Sequence, residues 1–236
     1  MIPPQRPKDN SYILDCVGPL GWQMLNDLQM VNIWHLLNSV LAQQVPGEII
    51  EAGCFTGRSA ALIQKILEAR QVARKFHVYD SFEGLSEFTD FDYGIALPEG
   101  DLAATIEQFK KTFADLNLEL PQIHKGWINE TMPSGLPPQI AFAHLDLDLY
   151  EPTFYALAHL YPRLSKGAIV VIDDYYDAQI HQNIDNKILY YSKITSQVPA
   201  IAPGVQRAAD RFLADKAERP EVLYAGNKAH CYFVKK

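Results

Sequence analysis

From residue 47 onward, the sequence alternates short apolar runs with segments of helical pattern. Five runs rich in β-branched and aromatic residues predict strands at 48–52, 76–80, 122–126, 140–148 and 167–174. The segments between them predict helices at 58–69, at 102–116 and around Pro152, since proline is tolerated in the first turn of a helix. Strands that alternate with helices in this way are typical of parallel βαβ units.

The runs at 140–147 and 168–172 are almost continuously apolar. They are predicted to be central strands covered on both faces, because a strand with one wet face would alternate apolar and polar residues. A helical segment at 204–218 then precedes strands at 221–225 and 230–235, which a Gly226-Asn227 turn would join as an antiparallel hairpin. Ahead of the sheet, apolar residues at three- and four-residue spacing predict one or two amphipathic helices within 19–43.

Together these elements predict one α/β domain with a Rossmann-like architecture. Its mostly parallel seven-stranded sheet would carry helices on both faces and end in the C-terminal antiparallel hairpin. Residues 1–46 are expected to form an N-terminal helical extension, and residues 47–236 the main domain. A chain of 236 residues can build a single large core, and no shift in composition marks a second domain.

Composition and charge narrow the class of partner. The 28 acidic residues outnumber the 21 basic ones, and the net charge of −7 favours small-molecule chemistry over a nucleic-acid partner. Three well-separated cysteines indicate neither a disulfide framework nor a zinc site, and they fit a reducing cytoplasm. The N-terminus lacks the apolar core of a signal peptide, and no run reaches the roughly 20 apolar residues that span a bilayer. We therefore expect a cytoplasmic protein without a membrane partner.

The first predicted strand runs into the segment EAGCFTG, in which Gly53 and Gly57 precede a helix. Glycine lets the backbone approach a ligand closely, and the helix N-terminus offers free amide donors. Asp80 ends the second strand, 29 residues after Glu51 (80 − 51 = 29), where a carboxylate can accept both hydroxyls of a ribose. Phosphate-binding glycine spacing is absent, so the pattern favours S-adenosylmethionine as the cofactor. The alternatives are a tight turn without a ligand and a surface aspartate.

The fourth and fifth predicted strands both end in acid. Asp146 and the Asp173-Asp174 pair lie 27 residues apart (173 − 146 = 27), so their carboxylates can converge at one edge of the sheet. Carboxylates packed this closely repel one another, and hard oxygen ligands suit Mg²⁺, so the pattern predicts a magnesium site. Asp148 could face the same pocket, because strand side chains two positions apart share a side. The alternative is a group of solvated strand-end residues.

Several motifs resemble one known family. They are PGEIIEAGCFTGRSA, VYDSFEGL, HKGWINETMP, AHLDLDLYEPTFYALAHLYPRLSKGAIVVIDDY and GVQRAADRF, in that order, and they look like the macrocin O-methyltransferase family of natural-product tailoring enzymes. The likeness covers residues 25 to 175 and resumes near 204. The resemblance implies a class I methyltransferase fold and a Mg²⁺-dependent transfer of a methyl group from S-adenosylmethionine to a hydroxyl of a sugar or other small molecule.

The resemblance also implies roles for individual residues. The methionine end of the cofactor would be lined by Glu51, Gly53, Thr56 and Ser59, the ribose by Asp80 and Ser81, and the adenine by Gly126 and Trp127, while Mg²⁺ would be held by Asp146, Asp173 and Asp174. The wider catechol-type group has a lysine base three residues after the first metal aspartate, where this chain has Leu149. Asp146 is therefore the candidate base.

Two other functions stay open at this stage. A metal-dependent glycosyltransferase that uses a nucleotide sugar would also carry aspartates after an apolar strand, but it would leave EAGCFTG and the Asp173-Asp174 pair unexplained. A non-catalytic S-adenosylmethionine-binding protein would have no need of intact metal ligands.

One segment departs from the family pattern: residues 178–203 follow the fifth strand where the family has a short turn. We expect this insertion to cover the acceptor pocket as a lid, and the alternative is a homodimer contact. A role in packing is favoured for each of the histidines, although three lie near predicted strand ends or loops: His124, His144 and His181.

Overall fold

The computed structural model describes residues 25–92, 98–175, 202–225 and 228–236. Its strands are β1 (Glu48–Ala52), β2 (Phe76–Asp80), β3 (Gln122–Lys125), β4 (Ile140–Leu145), β5 (Leu164–Asp173), β6 (Glu221–Ala225) and β7 (Lys228–Val234). They form one seven-stranded sheet in the order β3-β2-β1-β4-β5-β7-β6. β7 runs antiparallel between β5 and β6, and the first five strands are parallel. The predicted mixed sheet with its C-terminal antiparallel strands is therefore confirmed.

Six α-helices surround this sheet within the described ranges: α1 (Asp27–Ala42), α2 (Arg58–Ala69), α3 (Ile106–Asp115), α4 (Ile128–Gly135), α5 (Tyr150–Leu160) and α6 (Pro203–Leu213). Short 3-10 turns lie at Asp90–Asp92 and Tyr161–Arg163. None of the helices in the described ranges is long and apolar enough to cross a bilayer.

The two strands with continuous apolar runs lie in the middle of the sheet. Every residue of β4 is buried, and so is every residue at 168–173 of β5. Burial on both faces explains why these strands lack an apolar-polar alternation. It also means that the polar residues at their ends emerge from a rigid, well-packed part of the molecule.

α1 packs its apolar face against the core through Met30, Ile33, Leu37 and Val40. The helix begins at a reciprocal capping box, in which the side chains of Asn26 and Gln29 each accept a hydrogen bond from the backbone N–H of the other. Asn26 Nδ2 also donates to the carbonyl oxygen of Ala225, at 2.7 Å. The start of α1 is thereby tied to β6, at the far edge of the sheet.

Three local features differ from the sequence-based predictions. α3 begins at Ile106 and not at 102, because Leu102 has a positive φ of 61° and Thr105 caps the helix. α4 was not predicted, since it has only eight residues and contains Pro133. β4 ends at Leu145, so the aspartates that follow it lie in a turn and not on a strand.

Some sequence predictions fall outside the described residues. These are most of the insertion at 178–203, the Gly226-Asn227 turn and the part of the N-terminal helical prediction that precedes residue 25.

Candidate active site

A cavity of about 240 Å³ opens at the carboxyl ends of the parallel strands. It lies where chain order reverses, between β1 and β4, which is where ligands bind in open α/β sheets. Its lining combines carboxylates with apolar and aromatic side chains: Leu25, Gly53, Phe55, Asp80, Ser81, Gly84, Leu85, Ser86, Leu102, Trp127, Ile128, Asn129, Asp146, Leu147, Asp148, Leu149, Glu151, Pro152, Tyr155, Asp173 and Asp174.

The glycine turn after β1 packs directly on the turn after β4. Gly53 has a φ of +78°, and a Cβ placed there would lie 1.8 Å from the backbone oxygen of Asp146. The amide of Gly53 donates to the carbonyl of Tyr79 at 2.9 Å, while the amide of Asp146 donates to that of Ala52 at 2.8 Å. Close backbone approach and a left-handed conformation both require glycine at position 53.

Asp80 holds two loops together at the wall of the cavity. Its Oδ2 accepts hydrogen bonds from the amides of Cys54 (2.8 Å) and Phe55 (3.1 Å), and its Oδ1 accepts one from the amide of Phe82 at 2.7 Å. Phe55 and Phe82 both have positive φ, so the carboxylate stabilises two unfavourable turns. Because a carboxylate can accept about four hydrogen bonds, roughly one position is left for a ribose hydroxyl.

The cofactor residues implied by the resemblance separate into two groups. Four of them line the cavity: Gly53, Asp80, Ser81 and Trp127. The other four are not among the residues that line the cavity: Glu51, Thr56, Ser59 and Gly126. Ser59 is buried in the first turn of α2, and the carbonyl of Thr56 accepts a hydrogen bond from Thr112 Oγ1 at 2.6 Å.

Glu51 forms a fully buried pair with His144 on the neighbouring strand. Glu51 Oε1 and His144 Nδ1 are 2.9 Å apart. The other polar atom of each side chain, Glu51 Oε2 and His144 Nε2, is buried and has no hydrogen-bond partner among the described residues. A buried acceptor without a partner is costly, so the region behind the glycine turn retains capacity for a hydrogen-bonding ligand.

Three carboxylates converge on the metal corner, which we define as Asp146, Asp148 and Asp174. One ligand oxygen of each lies within 4.8 Å of the others. Asp148 and Asp174 have left-handed backbones, with φ of 59° and 55°, and aspartate tolerates this conformation better than most residues. The convergence therefore depends on two tight turns, and not on the alternation of side chains along a strand.

The structure separates the predicted Asp173-Asp174 pair. Asp173 is the last residue of β5, lines the cavity and is 3% exposed, but its Oδ1 accepts a 2.5 Å hydrogen bond from Gln29 Nε2 of α1. His230 Nδ1 lies 3.8 Å from the same oxygen. Burial lowers the pKa of His230 to about 4, against the opposing effect of Asp173. Of the three predicted metal ligands, the structure brings Asp146 and Asp174 together, and Asp148 joins them. The third, Asp173, lines the same cavity but lies outside this cluster.

Sequence reasoning missed two sets of residues at this site. Gln29 was not identified because its contact with Asp173 spans 144 positions, although the capping signature Asn26-x-x-Gln29 is readable in the sequence. The second set lines the cavity and follows Asp148 in the sequence: Leu149, Glu151, Pro152 and Tyr155. Glu151 and Tyr155 are four positions apart on α5 and therefore share one face of that helix.

The donor set fits the groups that the resemblance implies. An all-oxygen set of carboxylates suits a hard cation such as Mg²⁺. Ligand oxygens about 2.1 Å from Mg²⁺ lie at most about 4.2 Å apart, so modest side-chain rotation would let the metal corner share one ion. The glycine turn, Asp80 and the Trp127 ring line the other part of the cavity, where an adenosine-containing cofactor would be accommodated.

Comparison with known proteins finds similarity to O-methyltransferases. The family model described as Macrocin-O-methyltransferase (TylF) matches residues 10–202. An 8-demethyl-8-(2,3-dimethoxy-alpha-L-rhamnosyl)-tetracenomycin-C 4'-O-methyltransferase of Streptomyces olivaceus is 37% identical over 153 residues, which cover 61% of this chain and 59% of that protein. The mycinamicin III 3''-O-methyltransferase of Micromonospora griseorubida is 32% identical over 167 residues, which cover 66% of this chain and 64% of that protein. The chain thus spans about three fifths of these relatives' length.

Solved structures share the fold. The O-methyltransferase NovP superposes with a TM-score of 0.67 at 26% identity, covering 87% of this chain and 78% of NovP. The calicheamicin methyltransferase CalS11 superposes with a TM-score of 0.63 at 22% identity, covering 97% and 93%, a likeness that concerns the fold alone.

Proposed function

We propose that this chain, which belongs to the macrocin O-methyltransferase family, transfers a methyl group from S-adenosylmethionine to a hydroxyl of a small molecule in a Mg²⁺-dependent reaction. The observation that carries the proposal is the position of the metal corner beside the glycine turn, within one cavity. A methyl donor and a cation-bound acceptor would have to meet at such a boundary. The names of the relatives at 32–37% identity, which are all O-methyltransferases, support the same reaction class.

In this proposal the turn after β1 and the loop after β2 bind the cofactor. When bound, the cofactor would supply an activated methyl group on its sulfonium. Asp80 binds the ribose with the hydrogen-bonding position left on its carboxylate, and Ser81 lies beside it on the cavity wall. Trp127 covers the adenine, while Glu51, Thr56 and Ser59 support the turn from behind. Gly126 has a φ of +139° and shapes the turn that presents Trp127.

Asp146 and Asp174 of the metal corner would hold the cation, and Asp148 lies within reach of the same ion. Asp173 lies outside this cluster but lines the same cavity next to Asp174, and in this proposal it is the third ligand. Mg²⁺ would favour the ionised form of the acceptor hydroxyl. The proton leaves to a carboxylate of this corner, either Asp146 or Asp148. A carboxylate that already binds a cation is the weaker base, and this favours Asp148 wherever Asp146 is a ligand. General-base assistance of this kind contributes about 10²–10⁴-fold.

The wall around the corner positions the acceptor. Leu149, Pro152 and Tyr155 offer apolar surface next to the carboxylates, a combination that suits a sugar ring with one apolar face and several hydroxyls. A sugar or another natural-product intermediate is therefore the proposed acceptor class. Alignment of the attacking oxygen with the methyl carbon and its leaving sulfur can be worth on the order of 7–11 kcal/mol.

The cytoplasmic location is part of the same proposal. Cys54 and Cys231 are both buried and free, as expected for a protein that works in a reducing compartment. Neither a nucleic acid nor a membrane is needed as a partner in the proposed reaction.

A methyl-transfer assay tests the proposal. The enzyme would be incubated with S-adenosylmethionine and a panel of sugar, phenol and amino-acid hydroxyl acceptors, with Mg²⁺ or with a chelator. We expect S-adenosylhomocysteine to form only with an acceptor and Mg²⁺, and the product to carry one additional methyl group by mass spectrometry. Cofactor binding without turnover on any acceptor would favour a non-catalytic binding protein, and full activity in excess chelator would contradict the role of the metal.

A further inference from the structure

The side chain of Gln29 connects the N-terminal helix to the proposed metal site. It is completely buried, although it belongs to the first turn of α1. Its Oε1 accepts the backbone N–H of Asn26 at 2.9 Å, and its Nε2 donates to Asp173 Oδ1 at 2.5 Å. One amide group therefore completes a helix cap at one end and binds a carboxylate at the other.

These two contacts determine the orientation of the amide. The Asn26 N–H requires an acceptor, so the oxygen of Gln29 must face the backbone, and the amino group must then face the carboxylate. The capping box fixes the side chain in place, because Asn26 is itself tied to β6 through its 2.7 Å bond to Ala225. The Nε2 donor that faces Asp173 is thus fixed by two backbone groups: the N–H of Asn26, which binds Gln29 Oε1, and the carbonyl of Ala225 in β6, which binds the Asn26 side chain.

The surroundings of Asp173 make this donor important. The residue is 3% exposed, and a buried carboxylate is strongly destabilised unless it is hydrogen bonded. His230 lies at 3.8 Å, which is beyond hydrogen-bonding distance, and its Nε2 is 2.7 Å from Asn32 Nδ2 of α1. α1 therefore contacts both Asp173 and the histidine beside it.

We propose that Gln29 is a positioning residue for the metal site, which fixes the Asp173 carboxylate through Nε2 and thereby sets the affinity for the divalent cation. This inference rests on the proposed function, in which Asp173 is a metal ligand. Groups that orient metal ligands typically change metal affinity by about 10–100-fold when they are removed. On this view, the N-terminal helix belongs to the catalytic unit and is not an accessory to it.

The substitution Gln29→Glu separates positioning from helix capping. Glutamate has nearly the same size and still completes a capping box, because it retains an acceptor for the Asn26 N–H. It replaces the Nε2 donor by a second carboxylate oxygen facing Asp173. The matched control is Gln108→Glu, since Gln108 occupies the same position in the capping box of α3, is exposed, and accepts the Thr105 N–H at 2.7 Å.

The measurement is the binding of Mn²⁺, followed by electron paramagnetic resonance and competed with Mg²⁺, alongside calorimetric binding of S-adenosylhomocysteine. We expect Gln29→Glu to weaken Mn²⁺ binding by about 10-fold or more while cofactor affinity is unchanged, and Gln108→Glu to alter neither. Gln29→Met, which is neutral and of similar length, should weaken Mn²⁺ binding as well. In an Asp173→Asn background, the effect of Gln29→Met should disappear, because Gln29 acts through that carboxylate.

Two outcomes overturn the inference in distinguishable ways. Wild-type Mn²⁺ affinity in folded Gln29→Glu and Gln29→Met proteins would show that Gln29 serves only as a cap. Absence of Mn²⁺ binding by the wild-type protein itself would remove the proposed metal, and the inference with it.

Discussion

The backbone oxygen of Asp146 occupies the space that a side chain on Gly53 would need, because a Cβ at Gly53 would lie 1.8 Å from it. The turn proposed to bind the cofactor and the turn that begins the metal corner are thus in direct backbone contact. A change in either turn is transmitted to the other, so the two halves of the cavity are expected to respond together to substitution at their boundary.

Gly53→Ala should therefore abolish cofactor binding and lower stability severely. Gly100→Ala is the matched control: Gly100 also has a positive φ, of +75°, but its Cβ would meet nothing closer than 3.8 Å. The free energy of unfolding of the control should fall only by the energy of the left-handed conformation, about 1–2 kcal/mol. Calorimetry with S-adenosylhomocysteine and thermal unfolding measure both effects. Equal behaviour of the two variants would mean that the contact between the turns has no consequence.

Asp80→Ala should weaken binding of S-adenosylmethionine by roughly 1.5–3 kcal/mol, since hydrogen bonds to a charged group are lost. Asp80 also secures the amides of Cys54, Phe55 and Phe82, so hydrogen exchange at these three amides should accelerate in the variant without cofactor. Calorimetry and exchange mass spectrometry give the two readouts. Unchanged affinity in a folded variant would place the ribose elsewhere.

Asp146→Asn, or a chelator, should abolish turnover and leave cofactor binding largely intact, because the proposed cation would contact the acceptor and not the cofactor. Asp173→Asn and Asp174→Asn should regain part of their activity at higher Mg²⁺ concentration if only metal affinity suffers. Asp148→Asn tests which of the two aspartates is the base. If Asp148 is the base, this variant should stay inactive at any Mg²⁺ concentration but bind Mn²⁺ normally. Recovery of Asp148→Asn with Mg²⁺ would instead make Asp148 a ligand.

Glu218 should stabilise the fold in a pH-dependent manner. Burial alone would raise its pKa, but hydrogen bonds from the Lys236 amide, the Tyr161 hydroxyl and the Lys235 ammonium together lower it to about 2. Because the pKa of Glu218 is lower in the folded protein than its ordinary value of 4.5, the ionised side chain stabilises the fold at pH values above 4.5. This contribution is lost as the pH falls from 4.5 towards 2.

The lost stability amounts to at most about 3–4 kcal/mol, because the pKa falls from 4.5 to about 2 and each pKa unit corresponds to about 1.4 kcal/mol. Glu218→Gln should therefore lower the free energy of unfolding at pH 7 and reduce its dependence on pH in this acidic range. Glu221→Gln is the control, since Glu221 is exposed and accepts a hydrogen bond from the Tyr232 hydroxyl. Denaturant titrations over a pH series would detect the difference, and parallel curves for wild type and Glu218→Gln would refute the assignment.

The sequence predicted those parts of the fold that depend on local pattern. α2 spans the predicted residues, since Gly57 gives a clear start, and the central strands are recognisable by continuous apolar character. α4 was not predicted, because it is short and Pro133 interrupts its helical pattern. The position of Asp148 was reasoned from strand alternation, whereas a left-handed turn places it. The contact of Gln29 with Asp173 could not be predicted, because spacing along the chain says nothing about side chains 144 positions apart.

The N-cap of α1 and a residue within this helix contact β6 and β7, which lie almost 200 positions further along the chain. Asn26 contacts Ala225, 199 positions away, and Asn32 contacts His230, 198 positions away. Contacts between residues so far apart in sequence form late in folding, because a long loop must close before they can be made. Chains stopped before residue 221 should therefore leave α1 accessible to limited proteolysis.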